Sequence, residues 1–281
     1  MQSRRLLLGI AIAMIGGIYY YCNQQVNPVT GEKQHVALTP DQEVALGLQT
    51  APQMAEQFGG LHPDPTLQSS VEQIGEAIVA RSVARGSGYQ YDFHVLRDDE
   101  TVNAFALPGG QVFITAALFR RLQDEAQLAG VLGHEIGHVV GRHSAEQLAK
   151  SQLTQALVGA AGVAASSEGS DGQQAAAIAA AVGQLVNMRF GRKDELEADH
   201  FGVRFMSEAR YDPRALREVM QILAEASGGG GSRPEFLSTH PDPGNRLAQI
   251  EAEIQQMFPQ GVPPELNRGD GARFAQLKAR L

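Results

Sequence analysis

The sequence predicts an α+β fold that is mainly helical, with a small antiparallel β-sheet beside one buried helix. Three observations carry this expectation. Apolar residues recur at helical spacing at Leu67, Val71, Ile74 and Ile78, and again at Leu128, Val131, Leu132, Ile136, Val139 and Val140. Between these stretches Tyr91, Phe93 and Val95 alternate with Gln90, Asp92 and His94, as a half-buried strand should. The segment "VNAFALPGGQVFIT" then reads as a hairpin turning at Leu107-Pro108-Gly109-Gly110.

The elements follow in chain order. In "MQSRRLLLGIAIAMIGGIYYYC", Arg4 and Arg5 precede an apolar run from Leu6 to Tyr21. That charge order places the start in the cytoplasm and the rest across a membrane. As a helix the run spans about 24 Å, somewhat short of the roughly 30 Å hydrocarbon core, with Tyr19 to Tyr21 at the far interface. An uncleaved anchor is favoured, the alternatives being a cleaved signal peptide and a lipid anchor through Cys22. Lipoprotein processing wants small residues before the cysteine, and three tyrosines depart from that. The chain then divides into a segment 1–26, a catalytic domain 27–250 and a C-terminal helix and tail 251–281.

Thr39 is placed as an N-cap with Pro40 at the first helical position and Gln42 completing a capping box. A second helix is expected from about Pro65 to Ala84. The strand and hairpin come next, and an exposed edge strand there could take up a peptide by backbone pairing, with Asn103 and Ala104 as the contacts. Asp124 caps the buried helix that follows. The Ala/Gly-rich segment 156–186 is interrupted by "SSEGSDGQQ" and reads as a helical hairpin near the cleft, neither half reaching the roughly 17 residues a span requires. A helix through "RKDELEADHFGVRF" and, after Leu247, one short helix and a basic tail "RFAQLKARL" complete the chain.

The chemistry sits in "LAGVLGHEIGHVVGRH". His134 and His138 are four apart and project from one helical face, so they can hold one ion, while Glu135 beside the first can take a proton from an attacking water. Burying two histidines and a carboxylate without partners costs several kcal/mol, and a divalent metal supplies the compensation. A third ligand must decide. In the extended His-Glu-x-x-His-x-x-Gly-x-x-His pattern Gly141 fits, but the histidine comes one residue early at His143 and Ser144 stands in the ligand position. The alternative is Glu195, which shares a helix face with Asp199 and with Gly202, whose missing side chain lets two helices approach. Glu197 lies about 200° around that helix and points elsewhere. Asp199 suits the hydrogen bond that fixes the tautomer of a ligating histidine. His240, in the proline-stiffened "STHPDPGNR" after "GGGG", could cap zinc at rest or stabilise an oxyanion, or could simply contact backbone in a turn.

Taken together, "NPVTGEKQHVAL", "NAFALPGGQVFIT", "LGHEIGHVVGRH", "ELEAD" and "STHPDPGNR", in that order, give a chain that resembles the gluzincin metallopeptidases, the group of the CAAX prenyl proteases, the HtpX-type membrane proteases and the bacterial periplasmic quality-control proteases. The resemblance implies a zincin-type domain and a zinc endopeptidase with one Zn2+ per chain, whose Glu-x-x-x-Asp motif matches Glu195 and Asp199. It also implies that the His-Pro motif matches His240, which in some relatives approaches the metal as a regulatory ligand. A setting in the bacterial cell envelope, facing the periplasm, follows from the same resemblance, with misfolded or misassembled proteins as substrates.

Composition agrees with an enzyme. The 281 residues, 43% of them hydrophobic, suffice for one catalytic domain with a sizeable core. A net charge of −8 lacks the basic footprint of a nucleic-acid binder. The single cysteine excludes an intrachain disulfide and is neutral about compartment. A chaperone or assembly factor holding clients in the same cleft is the alternative, against which Glu135 speaks, since a binding module needs no general base. Prenyl-peptide processing is disfavoured by the single short apolar segment, where a multi-span chamber is expected.

Overall fold

Helix caps and apolar stripes place most elements where the sequence expects them. The computed structural model describes residues 2–165, 185, 188–228, 234–241 and 244–281. Helix α1 (Gln2–Cys22) lies along α6 (His143–Ala165), and a Cβ on Gly16 would stand 2.9 Å from Ala156 Cβ. Leu7, Leu8, Met14, Ile15 and Ile18 of α1 face outward. Among the described residues no helix is long and apolar enough to cross a membrane.

A two-stranded hairpin follows, β1 (Gln24–Val26) antiparallel to β2 (Lys33–His35). Its turn is held by Asn27, whose Oδ1 accepts from the Val29 and Thr30 amides. Helix α2 (Pro40–Gln57) starts on the expected capping box, Thr39 and Gln42 bonding reciprocally. Helix α3 (Pro65–Arg81) is capped by Asp64 and buries Leu67, Val71, Ile74 and Ile78. It ends short of Ala84 because Ser82 turns extended and starts a 3-10 segment, Val83–Ser87.

The main sheet has three strands in the order β3-β5-β4: β3 (Asp92–Leu96), β4 (Ala104–Ala106) and β5 (Gln111–Thr115). The β4–β5 hairpin is antiparallel, as expected, and turns with Gly109 at φ 83° and Gly110 at φ 114°, values that favour glycine. Strand β3 joins in the parallel sense on the far side of β5, because the connection to β4 crosses over instead of turning tightly. Its side chains alternate as read, Phe93 and Val95 inward and Asp92 outward.

After α4 (Ala116–Arg121), helix α5 (Glu125–Val140) runs through the middle of the core, capped by Asp124 and buried from Ala126 to its end. Around it pack α3, β4, α7 (Arg192–Glu208) and α8 (Arg214–Gly228). The contact of α5 with α7 is a glycine seam: a Cβ on Gly133 would meet Gly202 at 3.5 Å, and one on Gly137 would lie 2.9 Å from the Ala198 carbonyl. The anticipated helical hairpin lies, from residue 166 to 184, outside the described residues. The chain closes with α9 (Phe236–Thr239), α10 (Arg246–Met257) and α11 (Gly271–Lys278). The basic tail is thus itself a helix, capped by Asp270 and pinned by Phe274 stacked on Phe119, ring centroids 5.3 Å apart.

Candidate metal centre

One turn of α5 carries His134, Glu135 and His138, all fully buried. The glycine seam brings α7 close enough for Glu195 and Asp199 to face them, and the residue ending α9, His240, closes the group. His134, His138, Glu195 and His240 each offer one ligand atom, all within 4.8 Å of one another. The Nε2 atoms of His134 and His138 are 3.1 Å apart, Glu195 oxygens lie 3.6 Å from each, and Glu195 Oε1 lies 3.0 Å from His240 Nδ1. The four candidate residues His134, His138, Glu195 and His240 therefore meet at one point, although His240 is 106 residues from His134.

The tautomers argue for a cation. Asp199 Oδ1 lies 3.0 Å from His134 Nδ1, and a carboxylate can only accept, so that nitrogen carries the proton and Nε2 presents a lone pair. His138 Nε2 faces it from the same side. Where His138 also presents its Nε2 lone pair, a cation between the two nitrogens relieves their repulsion, and their 3.1 Å spacing is near the roughly 3.3 Å that tetrahedral nitrogen ligands at about 2.0–2.1 Å require. Glu135 gives a second sign. Both its oxygens are buried without a hydrogen-bond partner, with His240 Nε2 3.6 Å from Oε1, and a water or substrate group bound in the site would satisfy them. The residues present fit a metal and a water.

The electrostatics are those of a dry, charged site. Burial pushes the Glu135 carboxyl above the usual range, against the pull of His240 and His134. Burial and the surrounding histidines hold His138 well below the ordinary histidine value, which keeps it neutral. At His240 burial acts the same way but is outweighed by Glu195 and Glu135, so its pKa is raised. At Asp199 burial is overcome by the Arg246 guanidinium, which brings the carboxyl down to about 2.

Arg246 escaped the sequence reading. Fully buried at the start of α10, it donates to both Asp199 oxygens at 2.7 Å and lies 2.8 Å from Glu195 Oε2. The only signal was its position ending "STHPDPGNR". Phe190 was missed as well, its ring stacked on His138 at 4.0 Å. Asn103 and Ala104 are buried, with Asn103 Oδ1 unpartnered, and β4 is an edge strand. Its Phe105 and Ala106 line a narrow cavity together with Phe190, Thr239 and His240.

The chain is similar to known proteins. The model of peptidase family M48 matches residues 65–254. The chain is 32% identical over 241 residues to the mitochondrial metalloendopeptidase OMA1 of Schizosaccharomyces pombe, covering 84% of this chain and 68% of that protein. It is 32% identical to the beta-barrel assembly-enhancing protease of Yersinia pestis and 34% identical to that of Escherichia coli, over 84% and 71% of this chain. The chain spans about half the length of those bacterial relatives, 49% and 41%. With its histidine and glutamate cluster built on the two matched helices, the chain belongs to peptidase family M48 and is a metallopeptidase, a hydrolase of peptide bonds.

Proposed function

We propose that this chain is a zinc-dependent metalloendopeptidase, tethered to the bacterial inner membrane by its N-terminal helix and facing the periplasm, that hydrolyses misfolded or misassembled envelope proteins. The observation that carries it is the buried Glu135 carboxylate, without a hydrogen-bond partner, beside four converging ligand atoms. His134, His138 and Glu195 would hold the zinc ion, which when bound supplies Lewis-acid polarisation of the scissile carbonyl and acidifies a water. Glu135, its pKa raised by burial, accepts the proton of the attacking water and passes it to the leaving amine. Asp199 fixes the His134 tautomer, and Arg246 holds Asp199 and Glu195 in place. The edge strand β4 aligns the peptide by backbone pairing at Ala104, with the unpartnered side-chain oxygen of Asn103 as a further acceptor, the Asn103 backbone being bonded to Thr115. The envelope setting is supported by the likeness to the two bacterial beta-barrel assembly-enhancing proteases, and the tether by the apolar run after Arg4 and Arg5.

His240 supports a second reading, a chaperone or assembly factor with latent protease activity. Its ring is fully buried among the ligand atoms, 3.4 Å from His134 Nε2 and 3.0 Å from Glu195 Oε1, where it could act as a fourth ligand that holds the site latent. The test is zinc content and casein cleavage of the full chain in detergent, comparing wild type with Glu135→Gln and His240→Ala. About one zinc per chain, with cleavage falling about 10²–10⁴-fold in Glu135→Gln, supports the protease, and faster cleavage by His240→Ala marks His240 as a brake. Zinc without cleavage by any variant favours the latent reading, and no zinc overturns the ligand set.

A further inference from the structure

His143, one residue short of a zinc-ligand position in the sequence pattern, turns up inside the site in another capacity. It is buried, and its Nδ1 lies 2.9 Å from His138 Nδ1. Its other nitrogen, Nε2, faces Glu197 Oε2 at 3.5 Å. Glu197 points away from Glu195 on α7, as its helical angle requires, and that is what lets it reach around to His143.

We propose that His143 and Glu197 are positioning residues, a relay that fixes His138 in its metal-binding tautomer. At 3.5 Å Glu197 Oε2 faces His143 Nε2 without closing a hydrogen bond, and as a group that only accepts it favours the imidazole tautomer with its proton on that nitrogen. His143 Nδ1 then presents a lone pair and accepts the His138 Nδ1 proton, leaving the His138 Nε2 lone pair directed at the site. Both histidines of the motif are thereby set by a carboxylate from α7: His134 directly by Asp199, His138 through an intervening imidazole.

The backbone is built to hold this relay. Arg142 sits at φ 56°, an uncommon left-handed conformation for a non-glycine residue, and it turns the chain so that His143 folds back under α5. Its guanidinium is tied to Glu43, to Gln25 Oε1 at 3.0 Å and to the Leu38 carbonyl at 2.8 Å. The last carbonyls of α5 are taken by the N-terminal hairpin, Val140 by Asn27 at 2.8 Å and Gly141 by Gln34 at 2.5 Å. Gly141 leaves the room: a Cβ there would stand 2.4 Å from the His143 ring. The "NPVTGEKQHVAL" segment thus secures the turn that presents His143.

The relay rests on the zinc reading, and the experiment separates the two. Zinc dissociation constants of the full chain in detergent are measured by competition with a chromogenic chelator for wild type, His143→Ala, Glu197→Ala, Glu197→Gln, Gly141→Ala and the His143→Ala/Glu197→Ala double variant. The relay predicts about 10–100-fold weaker zinc binding in His143→Ala, Glu197→Ala and Gly141→Ala. It predicts recovery of most of that loss in Glu197→Gln, whose amide oxygen still accepts the His143 proton. The double variant should bind no more weakly than His143→Ala alone, because Glu197 acts only through His143. Additive losses, or a His143→Ala affinity equal to wild type, overturn the relay while leaving the zinc reading intact. A wild type that binds no zinc overturns both.

Discussion

At the scale of single residues, Arg246 decides more than any other side chain outside the ligand set. Two carboxylates, Asp199 and Glu195, are buried beside it, and its guanidinium hydrogen-bonds both oxygens of Asp199 and pairs by charge with Glu195 Oε2 at 2.8 Å. Removing one member of a buried charged group leaves the rest uncompensated, at about 3–5 kcal/mol. Arg246→Met should therefore lower the urea stability of the zinc-free chain by that amount, and a loss under 1 kcal/mol would show that water or a shifted neighbour replaces the guanidinium. His134, Glu135, His138, Glu195 and Asp199 were legible because each is placed by spacing within one helix. His240 was legible as a candidate but its distance to the two histidines was not, and Arg246 and the contact of His143 with Glu197 were not legible, because they depend on where loops and separate helices meet.

At the scale of elements, the α5–α7 seam sets the geometry of the centre. Gly137, between Glu135 and His138, has no room for a methyl group: its Cβ would lie 2.9 Å from the Ala198 carbonyl and 3.1 Å from Phe201 Cβ. Gly137→Ala should force the helices apart, costing about 1–3 kcal/mol and weakening zinc binding at the same time. Denaturant midpoints and chelator competition on one preparation would check both, and unchanged values would mean that the seam is slack. At the helix start, Asp124 caps the Gln127 amide and receives Arg268 at 2.8 Å. Asp124→Ala should cost about 1 kcal/mol in the same unfolding measurement, as a lost N-cap does. The cap was readable from sequence, the Arg268 contact from 144 residues away was not.

At the scale of the whole molecule, the C-terminal segment is fastened to the core by charge, and that fastening should depend on pH. At Glu218 burial is outweighed by hydrogen bonds from Arg268 and Gln127, and at Asp212 by those from Arg214, so both carboxyls sit below their ordinary values of 4.5 and 3.8. As pH falls the unfolded chain takes up these protons first. The stabilisation is therefore present above about pH 4.5 and is lost as pH drops through the folded values. Urea midpoints from pH 7 down to 3.5 should fall in that window, and less steeply in Arg268→Met; parallel slopes would remove Arg268 as the cause. Zinc acts on the same scale. Stripping it with EDTA should lower the melting temperature, since free zinc at about 100 times its dissociation constant stabilises by about 2.7 kcal/mol, and a chain that melts identically with and without chelator would not hold the ion in its folded state.

The sequence by itself determined whatever is local: the caps at Thr39 and Asp124, the alternation of Phe93 and Val95, the turn at Gly109, and the spacings that put His134 with His138 and Glu195 with Asp199 on common faces. Each follows from 3.6 residues per turn, from a period of two, or from a side chain bonding its own backbone. Only the tertiary structure decided that β3 runs parallel to β5, that the last residues form α11, and that His240, Arg246, His143 and Glu197 gather around the same two histidines. Those arrangements are fixed by packing between segments far apart in the chain, where glycines let helices touch and buried charges must find partners, and no local period encodes such a meeting.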